Sequence, residues 1–452
     1  MESSDDLTTG SIPKHIRNLA IPASIGLFFN TMYNVVDTWF AGRIGTEAQA
    51  AMSLSLPVFF LVIALGSGLA TGSTALIGEA LGGRDRERAA FVSIQAAVFG
   101  LLTGLMLTVV GPVAARPLFI FMGASTAYLD TCMEYMTPIF IGAPLFLLVY
   151  MFNAVLQAAG NTRVYRNFLV AGAFLNCVLD PWFIFGGFGL PAMGVAGVAW
   201  ATVAVQAVGV LYLGSRARRT GLLSTGRGRF LIPSPLHFAQ ISGQGFPASV
   251  NYLTIGLGMF IINHFVSDFG KSAVAAYGVA MRVEQVALMP SIGLNVAALA
   301  MTAQNNGAAA YGRVRQSMRT CLRYGAWLTV PACIPLLVFA EPFMSFFSSD
   351  PDVIRIGAGY LRVDAVALYG YVVIFVCTST LQGLKRPMFA VWLGLARQAV
   401  APALLFWFFT RHLDYGIFAI WLSILAIVWV SAAVSLRYAR KEIAFRLPSE
   451  EG

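Results

Sequence analysis

The chain contains itself twice. Residues 21 to 45, IPASIGLFFNTMYNVVDTWFAGRIG, return as FPASVNYLTIGLGMFIINHFVSDFG at 246 to 270, and an offset of 225 aligns 21 to 90 with 246 to 315 without a gap. Pro22, Ala23, Ser24, Phe40, Gly45, Gly68, Leu69, Gly82 and Arg88 then meet identical residues. The same offset pairs Tyr135 with Tyr360, Leu156 and Gln157 with Leu381 and Gln382, and Trp182 with Trp407. Register held over that length is not chance, so the two halves must share one fold.

Each copy is assembled from apolar runs of helix length. Spanning a bilayer takes about 20 apolar residues, and by that ruler there are twelve runs, six in each half. With 58% hydrophobic and 11% charged residues and a mean hydropathy of +0.72, the composition excludes a soluble globular protein. Its 34 Phe and 44 Gly suit lipid contact and close helix packing. Six is an even number, so both halves enter the membrane in the same sense and a pseudo-twofold axis along the membrane normal should relate them. The expected fold is an all-α integral membrane protein, twelve transmembrane helices in two pseudo-twofold-related six-helix lobes.

The net charge of +9 does not indicate nucleic acid, because its Lys and Arg sit in short loops between apolar runs. Arg84, Arg86 and Arg88 follow the second span, Arg163 and Arg166 the fourth, Arg216 to Arg229 the sixth, Arg313 to Arg319 the eighth, Lys385 and Arg386 the tenth, Arg437 to Lys441 the twelfth. Every even-numbered exit is basic, which places both termini in the cytoplasm and the chain in the cell membrane. The expected layout is a cytoplasmic tail at 1–15, a first lobe at 16–215, a basic linker at 216–238, a second lobe at 239–440 and a second tail at 441–452. The acidic, polar start MESSDDLTTGSIP does not read as a removable signal peptide. The five cysteines are scattered without a CxxC pair, so they read as packing residues, neither disulfide framework nor metal site.

Acids inside such runs are costly, which makes them functional hypotheses. Asp37 lies near the end of the first span; Asn176 and Asp180, four apart on one helix face, lie in the fifth. Their repeat counterparts are Ile262, Ala401 and Leu405, so the first half alone is expected to keep a polar cluster here. Chain direction and a rise of about 1.5 Å per residue put Asp37, Asn176, Asp180, Tyr135 and Thr202 in the outer half of the bilayer. Two readings stay open: helix-end polar groups wetted by the outer surface, or one shared site. Two carboxylates in one apolar cavity cannot both stay ionised cheaply, and such a pair can exchange a proton.

The second half carries Arg282 and Glu284 in its second span and Arg362 and Asp364 in its fourth. Two arginines and two acids can neutralise each other as a structural network or serve a substrate or coupling ion. GSGLATG at 66 to 72 lacks the strand and Lys-Ser/Thr of a phosphate loop and reads as a helix-packing stretch. There is no Ser-His-Asp set or HExxH, hence no sign of an enzyme.

Together these residues resemble the multidrug and toxic compound extrusion (MATE) transporters over roughly 15 to 440. The resemblance is carried by Pro22 with VDTWFAGRIG, GLATG leading to EALGGRDRERA, LQAAGNTR, NCVLDPWFIFG, GVAGVAWATV, and RVEQ with PSIGLN and QNNGA. It implies two lobes around a central cavity that opens alternately to either side, exporting bulky cationic or amphipathic compounds in exchange for H⁺ or Na⁺, without a cofactor. It implies small-molecule and lipid partners, no nucleic acid, and a monomer. Carried over by motif, Asp37, Asn176 and Asp180, with Tyr135, Asn153 and Thr202, look like the first-lobe cation site of the proton-coupled branch. The same Asp37, Asn176 and Asp180 would hold the metal ion if coupling is to Na⁺. Asp364 looks like the second-lobe acid of the sodium-coupled branch, whose further acid in the seventh span is missing here. Pro22 supplies a weak point in the first span, where its missing N–H breaks the hydrogen-bond ladder.

These features favour a proton-coupled multidrug antiporter. A sodium-coupled antiporter and a lipid-linked saccharide flippase are rivals of related architecture; the flippase would want a cationic cavity for phosphate. An intramembrane prenyl-lipid transferase would want clustered Asp binding Mg²⁺ at the cytoplasmic face.

Overall fold

In hydrocarbon every backbone N–H and C=O must find its partner within the protein, and a helix does this locally. A computed structural model of the chain describes residues 6–122, 126–187, 189–223 and 228–447. Arg227 of the basic linker and the outermost parts of both expected tails lie outside the described residues. The first half runs α1 (Ile12–Ile44), α2 (Thr46–Gly82), α3 (Arg86–Phe121), α4 (Thr126–Ile141), α5 (Ala143–Ala158), α6 (Arg163–Phe185) and α7 (Val195–Arg219). The second half runs α8 (Pro235–Ser267), α9 (Lys271–Gly307), α10 (Tyr311–Val338), the short α11 (Ala340–Ser345), α12 (Pro351–Gly383), α13 (Met388–Leu395), α14 (Ala401–Phe406) and α15 (Phe418–Arg446). Asp85 and Asp350 start α3 and α12 by accepting from the backbone N–H of Arg88 and Asp352, each at 2.9 Å, as N-caps do.

Eleven of the described helical stretches are long and apolar enough to cross a membrane, and the twelfth span is the pair α4 and α5, bent by 48°. The bend falls at Gly142, followed by Pro144, whose missing N–H removes a rung of the ladder. The eleventh span is irregular too. Between α13 and α14 a π-helical turn covers Ala396–Val400, and another follows at Trp407–His412. Pro402 cannot donate to the carbonyl four residues back, which accounts for the first widened turn.

The chain forms two compact units, whose boundaries differ from the expected lobe limits. One unit holds Met1–Asp6 and Ile25–Ser249, the other Leu7–Ser24 and Val250–Gly452. Residues 16–24, assigned to the first lobe by sequence, therefore pack with the second unit, and 239–249 pack with the first. Each unit takes the opening turns of the other unit's leading helix. Both helices change unit just past a proline, α1 after Pro22 and α8 after Pro247. Small residues make the packing possible. In the first unit a Cβ on Gly68 would collide with Ser249, and one on Gly72 would meet the backbone of Gly245 and Gln244. In the second, a Cβ on Gly293 would collide with Ser24 and the Ala20 carbonyl. The same hydrogen bond closes both crossings: Ser249 Oγ donates to the Leu65 carbonyl at 3.3 Å, and Ser24 Oγ to the Pro290 carbonyl at 3.1 Å.

The described residues of both the expected tail and the linker are docked. Leu7, Ile12 and Ile16 are buried in the core of the second unit. There Gln304 accepts from the Leu7 N–H at 2.9 Å, Asn305 donates to the Leu7 carbonyl at 3.1 Å, and Arg313 donates to the carbonyls of Leu7, Thr9 and Gly10. In the first unit one side chain makes three hydrogen bonds to the linker residues before α8. Gln95 on α3, fully buried, donates to the carbonyls of Phe230 and Ile232 at 2.8 and 2.9 Å and accepts from the Ser234 N–H at 2.9 Å. At the repeat offset Leu7 corresponds to Ile232, so the two docked segments are counterparts.

Candidate functional site

The first unit buries two acids against each other with no basic partner among the described residues. Asn176 and Asp180 face inward from α6, where Asn176 Nδ2 donates to Asp180 Oδ1 at 2.8 Å. The four-residue spacing read from the sequence makes that bond. Asp37 arrives from α1 and interacts with Asp180, Asn176 and Thr202. Asp37 is 5% exposed, Thr202 4%, and Asn176 and Asp180 are fully buried. Tyr135, on α4, is buried beside both carboxylates. Asp37 Oδ1, Asn176 Oδ1 and Asp180 Oδ2 are buried without a hydrogen-bond partner. Unit charges about 4 Å apart repel by about 4 kcal/mol at an effective dielectric of about 20. Two such carboxylates cannot both stay ionised cheaply.

Five of the six expected first-lobe residues converge. The exception is Asn153, half-buried on α5, which makes no hydrogen bond to the cluster among the described residues. Its side chain leaves α5 in a direction that residue type alone does not reveal. The residue missed was Tyr33, one turn before Asp37 on α1, whose hydroxyl is buried toward Thr202 and close to both acids. Its i, i+4 spacing to Asp37 was the available signal. Pro22 lies within α1, which continues as one helix past it.

The second unit has a polar cluster of its own at other positions, around the Glu284 and Asp364 singled out in the sequence. Glu284 on α9 accepts a short 2.6 Å hydrogen bond from the Tyr360 hydroxyl on α12. Asp364, one turn further along α12 and 2% exposed, interacts with Glu284 and Tyr371, and both its oxygens lack a hydrogen-bond partner. Tyr277, Tyr360 and Trp421 pack as a group with centroids 4.9 to 5.9 Å apart. The expected network of two arginines and two acids is not there. Arg282 is exposed, and Arg362 points outward to Glu341 at 2.9 Å. Neighbours in sequence, Arg362 and Asp364, leave α12 about 200° apart, so they could not face one site. The arginine that does approach is Arg397, whose guanidinium lies 6.0 Å from the Tyr371 ring centroid and within electrostatic range of Glu284.

No cluster of three or more His, Cys, Asp and Glu is present among the described residues. Each pocket instead offers two carboxylates plus neutral oxygens, a donor set for protons or small hard cations.

A family model described as MatE matches residues 22–182 and 247–407, two stretches separated by the 225-residue offset found in the sequence. A protein named FAD transporter from Shewanella oneidensis is 28% identical over 403 residues, covering 88% of each chain. The probable multidrug resistance protein YoeA of Bacillus subtilis is 28% identical over 388 residues, covering 82% of this chain and 83% of its own. Among solved structures, a MOP superfamily transporter from Pyrococcus furiosus, described as having a binding pocket of reverse polarity, superposes with a TM-score of 0.90 at 25% identity over 99% of both chains. With both halves matched and the fold shared end to end, the chain belongs to the MatE family, whose members are multi-pass membrane transporters and not enzymes.

Proposed function

We propose that this chain is a secondary active efflux antiporter that exports bulky cationic or amphipathic compounds in exchange for H⁺ by alternating access, working as a monomer in the cell membrane with both termini cytoplasmic. The observation that carries the reading is the buried pair Asp37 and Asp180, bridged by Asn176 and without a basic partner. Such a pair is anionic when empty and neutralised when loaded. Proton loading and retention of a cationic compound are then mutually unfavourable, and the coupling is reciprocal by thermodynamic necessity. A proton entering from outside releases the cation there; its departure on the inner side restores affinity. Pro22, where α1 changes unit, supplies the point at which that helix can repack.

The three buried oxygens without hydrogen-bond partners favour a second reading, Na⁺ in place of H⁺, because they are hard neutral and anionic donors. Similarity to relatives named for multidrug resistance supports the substrate class. Similarity to one named FAD transporter widens it to aromatic compounds that carry phosphate.

Inside-out vesicles holding the purified protein separate these readings. Ethidium movement driven by an imposed pH gradient and indifferent to a sodium gradient is the expected result. Drive by sodium alone would replace the coupling ion, and no ethidium movement under either gradient would overturn the exporter reading.

A further inference from the structure

Arg397 is a cation inside a membrane span with nothing to hold on to. It sits on the π-helical turn Ala396–Val400, about seven residues into its apolar run. An arginine at bilayer depth costs about 2.5 to 3.5 kcal/mol even on the mildest scale. A structural counter-ion would recover that cost through a close carboxylate, yet Arg397 makes no ion pair within 4.0 Å and no hydrogen bond among the described residues. Glu284 takes its short hydrogen bond from Tyr360 instead. What Arg397 does have nearby is the Tyr371 ring, whose centroid lies 6.0 Å from the guanidinium carbon. With no hydrogen bond made among the described residues, the in-plane N–H edge of the guanidinium is open. That edge is the part of arginine that binds oxyanions two oxygens at a time. Arg397 sits on a π-helical turn, and such turns recur at functional sites. The first unit has Gly172 at the corresponding position, so only the second unit carries this group.

We propose that Arg397 is the anion-recognising residue of the second unit, binding the phosphate or carboxylate of an aromatic compound through its open N–H edge. The transport consequence rests on the exporter reading above; the binding does not. Two pairs of probes isolate the anionic group. Flavin mononucleotide and riboflavin share a ring system and differ by a phosphate, while rhodamine 19 and rhodamine 6G share theirs and differ by a free carboxylate against its ethyl ester.

Binding to the purified full chain, read by fluorescence, should favour the anionic member of at least one pair by about tenfold, and the pair that responds identifies phosphate or carboxylate. Arg397→Gln should erase that preference, Arg397→Lys should restore part of it, and ethidium binding should stay within about twofold in both. No preference in either pair, or a preference that survives Arg397→Gln, overturns the assignment. Equal loss of ethidium and anionic probes in a variant that elutes as a folded species also overturns it, because it would make Arg397 a packing residue. Failure of ethidium transport in vesicles, with these binding results intact, would sink the exporter reading alone.

Discussion

The two units repeat one scaffold but hold their acids at different places. Asp37, Asn176 and Asp180 align with Ile262, Ala401 and Leu405, whereas Glu284, Asp364 and Arg397 align with Phe59, Ile139 and Gly172. Of the residues in the two pockets that the alignment pairs, Tyr135 and Tyr360 alone are alike, each buried beside its own unit's acids. The backbone devices, by contrast, are kept: the prolines where α1 and α8 change unit, the glycines at the crossings, the serine hydrogen bonds. Duplication preserved what positions helices and left each copy to place charge afresh. The pockets also differ in electrical balance. The first has two acids and no cation, while the second has two acids facing a tyrosine hydroxyl and an arginine.

That difference ranks the acids. Asp37→Asn removes the charge that makes the first pocket switch between anionic and neutral, so proton-driven ethidium export should fall to background, a loss of about 100-fold. Glu284→Gln removes a charge already met by the Tyr360 hydrogen bond and should lower export by about tenfold at most. Both variants should reach the membrane and purify as folded species, which size-exclusion profiles check. Equal losses would break the ranking and make the second pocket a partner in coupling.

Much of this was legible before any coordinates. The offset of 225, the twelve spans and the approach of Asp37 to Asn176 and Asp180 followed from periodicity and spacing, because apolar length and helical geometry are local properties. The second pocket was legible only in part. Glu284 and Asp364 stood out as acids inside apolar runs, but the arginines grouped with them turn elsewhere, Arg282 being exposed and Arg362 bonded to Glu341. Arg397 was passed over in the sequence, and the π-helical turn on which it sits is not legible from apolar spacing. The exchange of leading segments between units was hidden as well, since Leu7 to Ser24 and their counterparts look like ordinary lobe sequence. The close approaches that betray it, at Gly68 and Gly293, read only as small-residue packing.

Those glycines test whether the scaffold is as symmetric as the alignment implies. Gly68→Ala would push a methyl group into Ser249, and Gly293→Ala would push one into Ser24 and the Ala20 carbonyl. Overpacking of this kind costs about 1 to 3 kcal/mol, and thermal unfolding of the purified protein should drop by a similar few degrees in each variant. A large drop in one and none in the other would show that one crossing carries the assembly.

The smallest effects should come from the docked leading segments, where the units again differ in means. In the first unit three hydrogen bonds depend on Gln95 alone, so Gln95→Ala removes all of them at once. In the second unit the contacts are divided among Gln304, Asn305 and Arg313, so Arg313→Ala leaves Leu7 held at its N–H and carbonyl. Each lost hydrogen bond contributes about 1 kcal/mol, and because both segments lie at the margin of their units the loss should appear as local opening before it appears in global unfolding. Limited proteolysis reads this directly. Gln95→Ala should speed cleavage between residues 216 and 235 by several-fold with little change in melting temperature, while Arg313→Ala should change cleavage near residues 7 to 11 by less than twofold. Faster cleavage at the amino-terminal segment than at the linker would reverse the comparison and make Arg313 the dominant clasp.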